Sequence, residues 1–328
     1  MSGQEQERAR SLCKCALYSR TTERAALAAA RWLGRADQER AEEAAVSGMA
    51  GTLADFPIDG RIVIGLDDGP LALGQRIGAG GESVDLALDP LEGRGVVARG
   101  GNGAMSMIAV GEPGCLRSLP QMYMRKLAVG PRARGQIDLG RPVGDNVRAI
   151  AEAFGRMVND ITTIVLDRPR HHDLVADLRE TGARIKLIQD GDVTAAITAA
   201  VRGTNDHLAI GIGGTRQAVL SAAALRCLGG DMQAQLWPTS RREIEAAREA
   251  GIDDVEHVFT TEELAGGELI VVATGVSNGD LLRGVRFYAD SARTQSLIMC
   301  TRCNWVRFSD ALHFFSRERR EEVRLLAT

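Results

Sequence analysis

Apolar residues along the chain change spacing in a way that predicts where helices and strands fall. Thr22 to Leu33 is a run of Ala and Leu at helical spacing stopped by Gly34, and a second helical run follows from about Gln38 to Leu53. Short apolar runs at 61–65, 84–88, 106–110 and 136–139, separated by Gly-rich turns, predict strands. From Asp145 the rhythm becomes regular: a helix to about Met157, a strand Thr162 to Leu166, a helix from His172, a strand Arg184 to Ile188, a helix from Asp192, a strand Leu208 to Ile212 and a helix from about Gln217. Such alternation is the mark of βαβ units, a mostly parallel sheet with helices on both faces, and so of an α/β protein. Pro238-Thr239 opens another helix that ends at Gly251, and Leu269 to Ala273 is a buried-type strand. Val285 to Tyr288 with Gln295 to Cys300 predicts a terminal hairpin, and the last dozen residues, rich in Arg and Glu, a solvated tail or helix. The change of rhythm predicts two domains, 1–158 and 159–328.

Composition narrows the class. With 328 residues, 45% of them apolar, the chain can fill two cores. A net charge of -3 with 25% charged residues offers neither a nucleic-acid nor a membrane surface. The first twenty residues lack the apolar core of a signal peptide and no apolar run reaches the length of a membrane span, which predicts a cytoplasmic protein. Six scattered cysteines are too few for a disulfide-stapled fold and are expected to be reduced. Cys13-Lys14-Cys15 and Cys300-Thr301-Arg302-Cys303 have thiolate spacings that suit Zn²⁺ if the two ends of the chain meet, although such pairs also arise by chance.

The sharpest chemical signal is Asp89-Pro90-Leu91-Glu92-Gly93, which closes the apolar run Val84 to Leu88. Two carboxylates three residues apart at a strand end suit a hard cation such as Mg²⁺. Asp-Pro and Glu-Gly are also ordinary turn residues, so the pentapeptide by itself leaves both readings open.

Further stretches, taken in order, resemble the class II fructose-1,6-bisphosphatases, a bacterial family that in some organisms also acts on sedoheptulose bisphosphate. They are Arg31 to Asp37, Ile62 to Gly65, Asp85 to Gly93, Met122-Tyr123-Met124, Val129-Gly130-Pro131, Arg168 to His171, Asp190 to Val193, Gly211 to Gly214, Ala273-Thr274-Gly275 and Gly279 to Leu282. The likeness runs from Thr21 to about Gly284. It implies a layered α-β-α-β-α sandwich of two α/β domains, Mg²⁺ or Mn²⁺ as cofactor, a small sugar phosphate as substrate, and a homodimer or homotetramer.

Carried over by position, the resemblance makes Asp37, Asp89 and Glu92 metal ligands. Three family positions are altered. Gly65 is followed by Leu66, which cannot bind a cation, where the family has glutamate, so Asp67 or Asp68 is the candidate replacement. A second family glutamate is Gln217, which keeps an acceptor oxygen but loses the charge. Arg94 stands where the family threonine orients the attacking water; a guanidinium has no acceptor, but it can sit beside a phosphate in place of a cation. Arg94 and Asp68 are thus the candidate catalytic positions. Arg168 and Arg170 match the family's grip on the distal phosphate, Asp190 and Asp192 its sugar-hydroxyl contacts, and Tyr123, Gly93 and Gly214 further substrate contacts, with Asp192 also a candidate helix cap. Two functions follow: a divalent-metal-dependent phosphatase acting on a sugar (bis)phosphate such as fructose 1,6-bisphosphate with weakened or altered activity, or a catalytically inactive sugar-phosphate-binding homologue with a regulatory, partner or non-hydrolytic role.

Overall fold

The computed structural model describes residues 14–315. After helices α1 (Ser19–Ala30) and α2 (Gln38–Ala54), the chain lays down strands β1 (Ile58–Ile64), β2 (Arg76–Ile77) and β3 (Glu82–Glu92), the short helix α3 (Arg94–Arg99) and strand β4 (Met105–Gly111). A second sheet follows, built from β5 (Tyr123–Val129), α4 (Val143–Phe154), β6 (Thr162–Leu166), α5 (His172–Thr181), β7 (Arg184–Ile188), α6 (Asp192–Ala200), β8 (Leu208–Gly214), α7 (Thr215–Leu228), β9 (Asp231–Trp237), α8 (Arg241–Glu249), β10 (Val258–Thr260) and α9 (Thr261–Leu264). The last strands, β11 (Leu269–Gly275), β12 (Arg286–Phe287), β13 (Ser291–Cys300) and β14 (Trp305–Phe314), return to the first sheet.

The first sheet runs β12-β13-β11-β4-β3-β1-β2, with β14 also on β13; the second runs β10-β9-β5-β8-β6-β7. Alternation along β3 sends Val84, Leu86 and Leu88 toward α1 and α2 and Ala87 toward the other sheet. The layer between the sheets is filled by α6 and α7. In α7, every residue from Ala218 to Leu225 is buried, as expected of a helix walled in on all sides, and its alanines let both sheets approach closely. On the far face of the second sheet, Leu127, Val129 and Val165 pack against Val147 and Ile150 of α4 and Val175 and Leu178 of α5. The layers are therefore α-β-α-β-α, as the resemblance implied. Among the described residues, no helix is long and apolar enough to cross a membrane.

Several expectations are corrected. The sheets do not divide at 158/159: the chain changes sheet between β4 and β5 and again between α9 and β11, because β5 pairs antiparallel with β8 and β9 while β11 pairs antiparallel with β4. Parallel pairing is confined to β1 with β3 and to β6 with β7 and β8, so neither sheet is mostly parallel. The run 136–139 is a loop. Ile137 and Leu139 are buried, but the N–H groups of Asp138 and Leu139 donate to the side chains of Asn146 (2.8 Å) and Gln233 (2.7 Å) rather than to a neighbouring strand. The expected terminal hairpin extends further, since β14 pairs with β13 from Ser291 to Cys300. The expected tail beyond residue 315 lies outside the described residues.

Candidate active site

The strand-end motif sits at the mouth of a cleft of about 880 Å³ between the two sheets. β3 carries straight through Asp89 and Glu92 with an irregularity in its pairing to β4 between them. Both carboxylates face inward and both residues are only 4% exposed. Gly93 then turns the chain into α3 at φ 88°, a left-handed conformation that favours glycine. Any side chain there would press within 3.2 Å of Ala104.

Glu92 reaches across to the second sheet. Its Oε1 accepts a 2.7 Å hydrogen bond from the Val193 N–H and its Oε2 one of 3.2 Å from the Thr194 hydroxyl. Glu92 thus supplies the carboxylate at the N-terminus of α6 that a capping side chain normally provides. The cap expected of Asp192 is corrected: Gly191 precedes the helix without a side-chain cap, and Asp192 instead pairs with Lys126 of β5, a cation only 5% exposed. Asp89 Oδ2 accepts 3.0 Å from the Gln217 amide.

The electrostatics are those of crowded acids. Burial raises the Glu92 pKa well above its ordinary value, and the Asp89 carboxylate pushes it the same way, against the Val193 N–H. Burial also raises Asp89, opposed by the Arg216 guanidinium and the Gln217 amide, and raises Asp190, opposed by the Gly191 N–H and Arg168. Asp89 and Glu92 thus offer buried carboxylate oxygens, the kind of donor a hard divalent cation takes.

The opposite wall is cationic. Arg168 donates to the carbonyls of Asp167 and Gln189, at 2.9 and 2.6 Å. Arg170 donates two bonds to the Ile212 carbonyl and stacks over Tyr123, 4.8 Å from the ring centroid. The next residue fixes that turn: His171 Nε2 accepts the Ile212 N–H at 2.7 Å, which makes Nδ1 the protonated nitrogen donating to the Leu166 carbonyl, and burial lowers its pKa. Gly213 and Gly214 pair with Met124 and Tyr123, and α7 starts directly after them, its Thr215 N–H donating 3.0 Å to the Met122 carbonyl.

Of the residues expected from sequence, Asp67, Asp68, Asp89, Glu92, Gly93, Arg94, Tyr123, Arg168, Arg170, Asp190, Asp192, Gly214 and Gln217 all line this one cleft. Asp37 does not. Its Oδ1 accepts the Arg40 N–H at 3.0 Å, capping α2. The next turns of that helix face the cleft instead, with Glu39, Glu42 and Glu43. Their spacing of three and four was the signal for one helical face. Arg94 does not lie alone beside the carboxylates, since it donates 2.7 Å to Glu42. Arg216 also went unread: it lines the cleft and acts on Asp89, and its buried Nε has no hydrogen-bond partner among the described residues.

Two facing sheets with helices between and outside them, acidic residues at a strand end on one side and a basic turn on the other define a protein of the layered sugar-phosphatase class. Residues 14–313 match the family described as bacterial fructose-1,6-bisphosphatase, glpX-encoded, and the chain belongs to that family. It is 41% identical over 321 residues to the D-fructose 1,6-bisphosphatase class 2/sedoheptulose 1,7-bisphosphatase of Synechococcus sp. (strain JA-3-3Ab), covering 89% of this chain and 92% of that one. The protein of the same description from Crocosphaera subtropica (strain ATCC 51142 / BH68) is 39% identical, with 89% and 93% covered.

Proposed function

We propose that the cleft hydrolyses a phosphate monoester of a sugar bisphosphate, fructose 1,6-bisphosphate or sedoheptulose 1,7-bisphosphate, at a reduced rate. The observation that carries this reading is the pairing of buried Asp89 and Glu92, both with raised pKa, across one cleft from Arg168 and Arg170. Asp89 and Glu92 would hold Mg²⁺ or Mn²⁺, with Asp67 or Asp68 on the exposed loop and the α2 glutamates within the same cleft. When bound, the cation supplies positive charge for the phosphoryl oxygens and makes water more acidic.

The protein's own groups do the rest. Arg168 and Arg170 bind the phosphate that is not cleaved, and Tyr123 holds the Arg170 guanidinium flat beneath it. Asp190 and Asp192 orient sugar hydroxyls. The rate is reduced because Leu66 and Gln217 remove two negative charges relative to the family pattern, and because Arg94 replaces a hydroxyl with a group that cannot accept a proton.

The Arg94–Glu42 ion pair favours a second reading, a sugar-phosphate-binding protein without hydrolysis, since it sets a fixed cation and anion where water would be oriented. Phosphate release from each bisphosphate with Mg²⁺ and with Mn²⁺, beside calorimetric binding of the same compounds, separates the two. Binding with metal-dependent release supports the first, and binding without release the second.

A further inference from the structure

We propose that Cys15, Cys300 and Cys303 hold a Zn²⁺ ion that ties the start of the fold to its last hairpin. The three sulfur atoms lie within 4.8 Å of one another, and the residues are 2%, 2% and 6% exposed. Zn–S bonds of about 2.3 Å in a tetrahedron put sulfurs roughly 3.8 Å apart, inside the 4.8 Å that bounds the cluster.

The local geometry is that of a ligating turn. Cys300 ends β13, Trp305 opposite it begins β14, and Cys303 lies in the four-residue turn between them. The Cys303 N–H donates to Cys300 Sγ at 3.4 Å, the kind of backbone donor that stabilises a bound thiolate. Asn304, at φ 51°, turns the chain back into β14. Cys15 comes from the short 3-10 turn Lys14–Ala16 just before α1, at the opposite end of the described chain from Cys300. A small cavity of about 110 Å³ reaches Cys300, lined also by Glu82, Glu112 and Glu268, which pair with Lys14 and Arg302.

Thiolates select a soft ion, whereas the acidic cleft selects a hard one. The two sites are also apart. Cys300 pairs in line with Ile270, Val110 and Leu86, six residues along β3 from Glu92, or about 20 Å. Cys227 lies outside the cluster, with burial pushing its thiol up to about 12. Cys13, two positions before Cys15, lies outside the described residues.

The test is the zinc content of the full chain purified without chelators. About one zinc per chain is expected, falling roughly tenfold in the Cys300→Ser, Cys303→Ser double variant and unchanged in Cys115→Ser. Should the double variant fail to fold, Co²⁺ loading of the unaltered chain decides, through a sulfur-to-cobalt charge-transfer band in the near ultraviolet and intense visible bands of a tetrahedral site. A chain that takes up no zinc and shows no such band overturns the assignment. So does zinc that stays at full occupancy in the folded double variant, or a disulfide joining two of the three cysteines in reducing buffer.

Discussion

Glu92 and Val193, 101 residues apart in the chain, meet through a 2.7 Å hydrogen bond that joins the last residue of a first-sheet strand to the first turn of a helix serving the second sheet. The same carboxylate sits among Asp89, Asp190 and Asp192, so it holds the two halves together while its charge is disfavoured.

A conflict of that kind has a sign. A carboxylate whose folded-state pKa is raised contributes stability below its unfolded value, about 4.3 for Glu, and loses it as pH rises through the raised folded value. Without added Mg²⁺ or Mn²⁺, the protein should therefore lose part of its stability on going from mildly acidic to alkaline pH. Glu92→Gln keeps an acceptor for Val193 and removes the charge, so that dependence should flatten while cation binding falls. Urea unfolding across the pH range, with calorimetric Mg²⁺ titration, checks both; an unaltered pH slope in the variant would show that Glu92 is not the strained group.

Arg170 has two donors engaged with Ile212 and a face engaged with Tyr123, which sets its remaining donors in place before any ligand arrives. Arg170→Ala should weaken binding of a sugar bisphosphate by about tenfold or more, the value of a charge-assisted bond to phosphate. Lysine at this position should recover only part of that, because it lacks the planar fork. Calorimetry with equal affinities for all three proteins would remove Arg170 from the site.

Gly213 lies against the pair between buried Lys126 and half-buried Asp192, and a methyl group there would come within 2.6 Å of Lys126 Nζ and closer still to the Asp192 carboxylate. Gly213→Ala must part the pair, leaving a buried cation unmatched at a cost on the order of 3 kcal/mol. Denaturant unfolding should show that loss; a change of less than about 0.5 kcal/mol would mean the strand can shift to accommodate the methyl group.

Arg94→Thr frees Glu42 from its ion pair and puts a hydroxyl at the start of α3, and Gln217→Glu adds one charge next to Asp89. Together they should tighten Mg²⁺ or Mn²⁺ binding and raise phosphate release, with Leu66 limiting the gain. A double variant with weaker cation binding than the parent would show that the altered positions do not lower metal affinity.

The α/β layers and most cleft residues were legible because strand ends and turns carry short, position-specific patterns, as in Asp89 to Gly93 and Gly211 to Gly214. What stayed hidden depends on contacts between distant segments. β5, with Arg125 and Lys126 in its middle, does not look like a central strand until Asp192 is seen to neutralise Lys126 and Trp237 to stack on Arg125. Ile137 and Leu139 alternate as a strand would, yet side chains from elsewhere take the backbone N–H groups of Asp138 and Leu139. The α2 glutamates were spaced as one face, but nothing local says which way that face points, and Asp37 drew attention away from it by sitting at the cap.

Under the proposed function, Asp89 and Glu92 make this cleft a metal-dependent sugar bisphosphatase of reduced rate. Phosphate release from fructose 1,6-bisphosphate, followed with and without Mn²⁺ in the parent and in Glu92→Gln, tests it most directly. The expected result is release that requires the cation, runs below the usual enzyme range of about 1 to 10³ s⁻¹, and disappears in the variant. Release that needs no cation, or that survives Glu92→Gln unchanged, would contradict it.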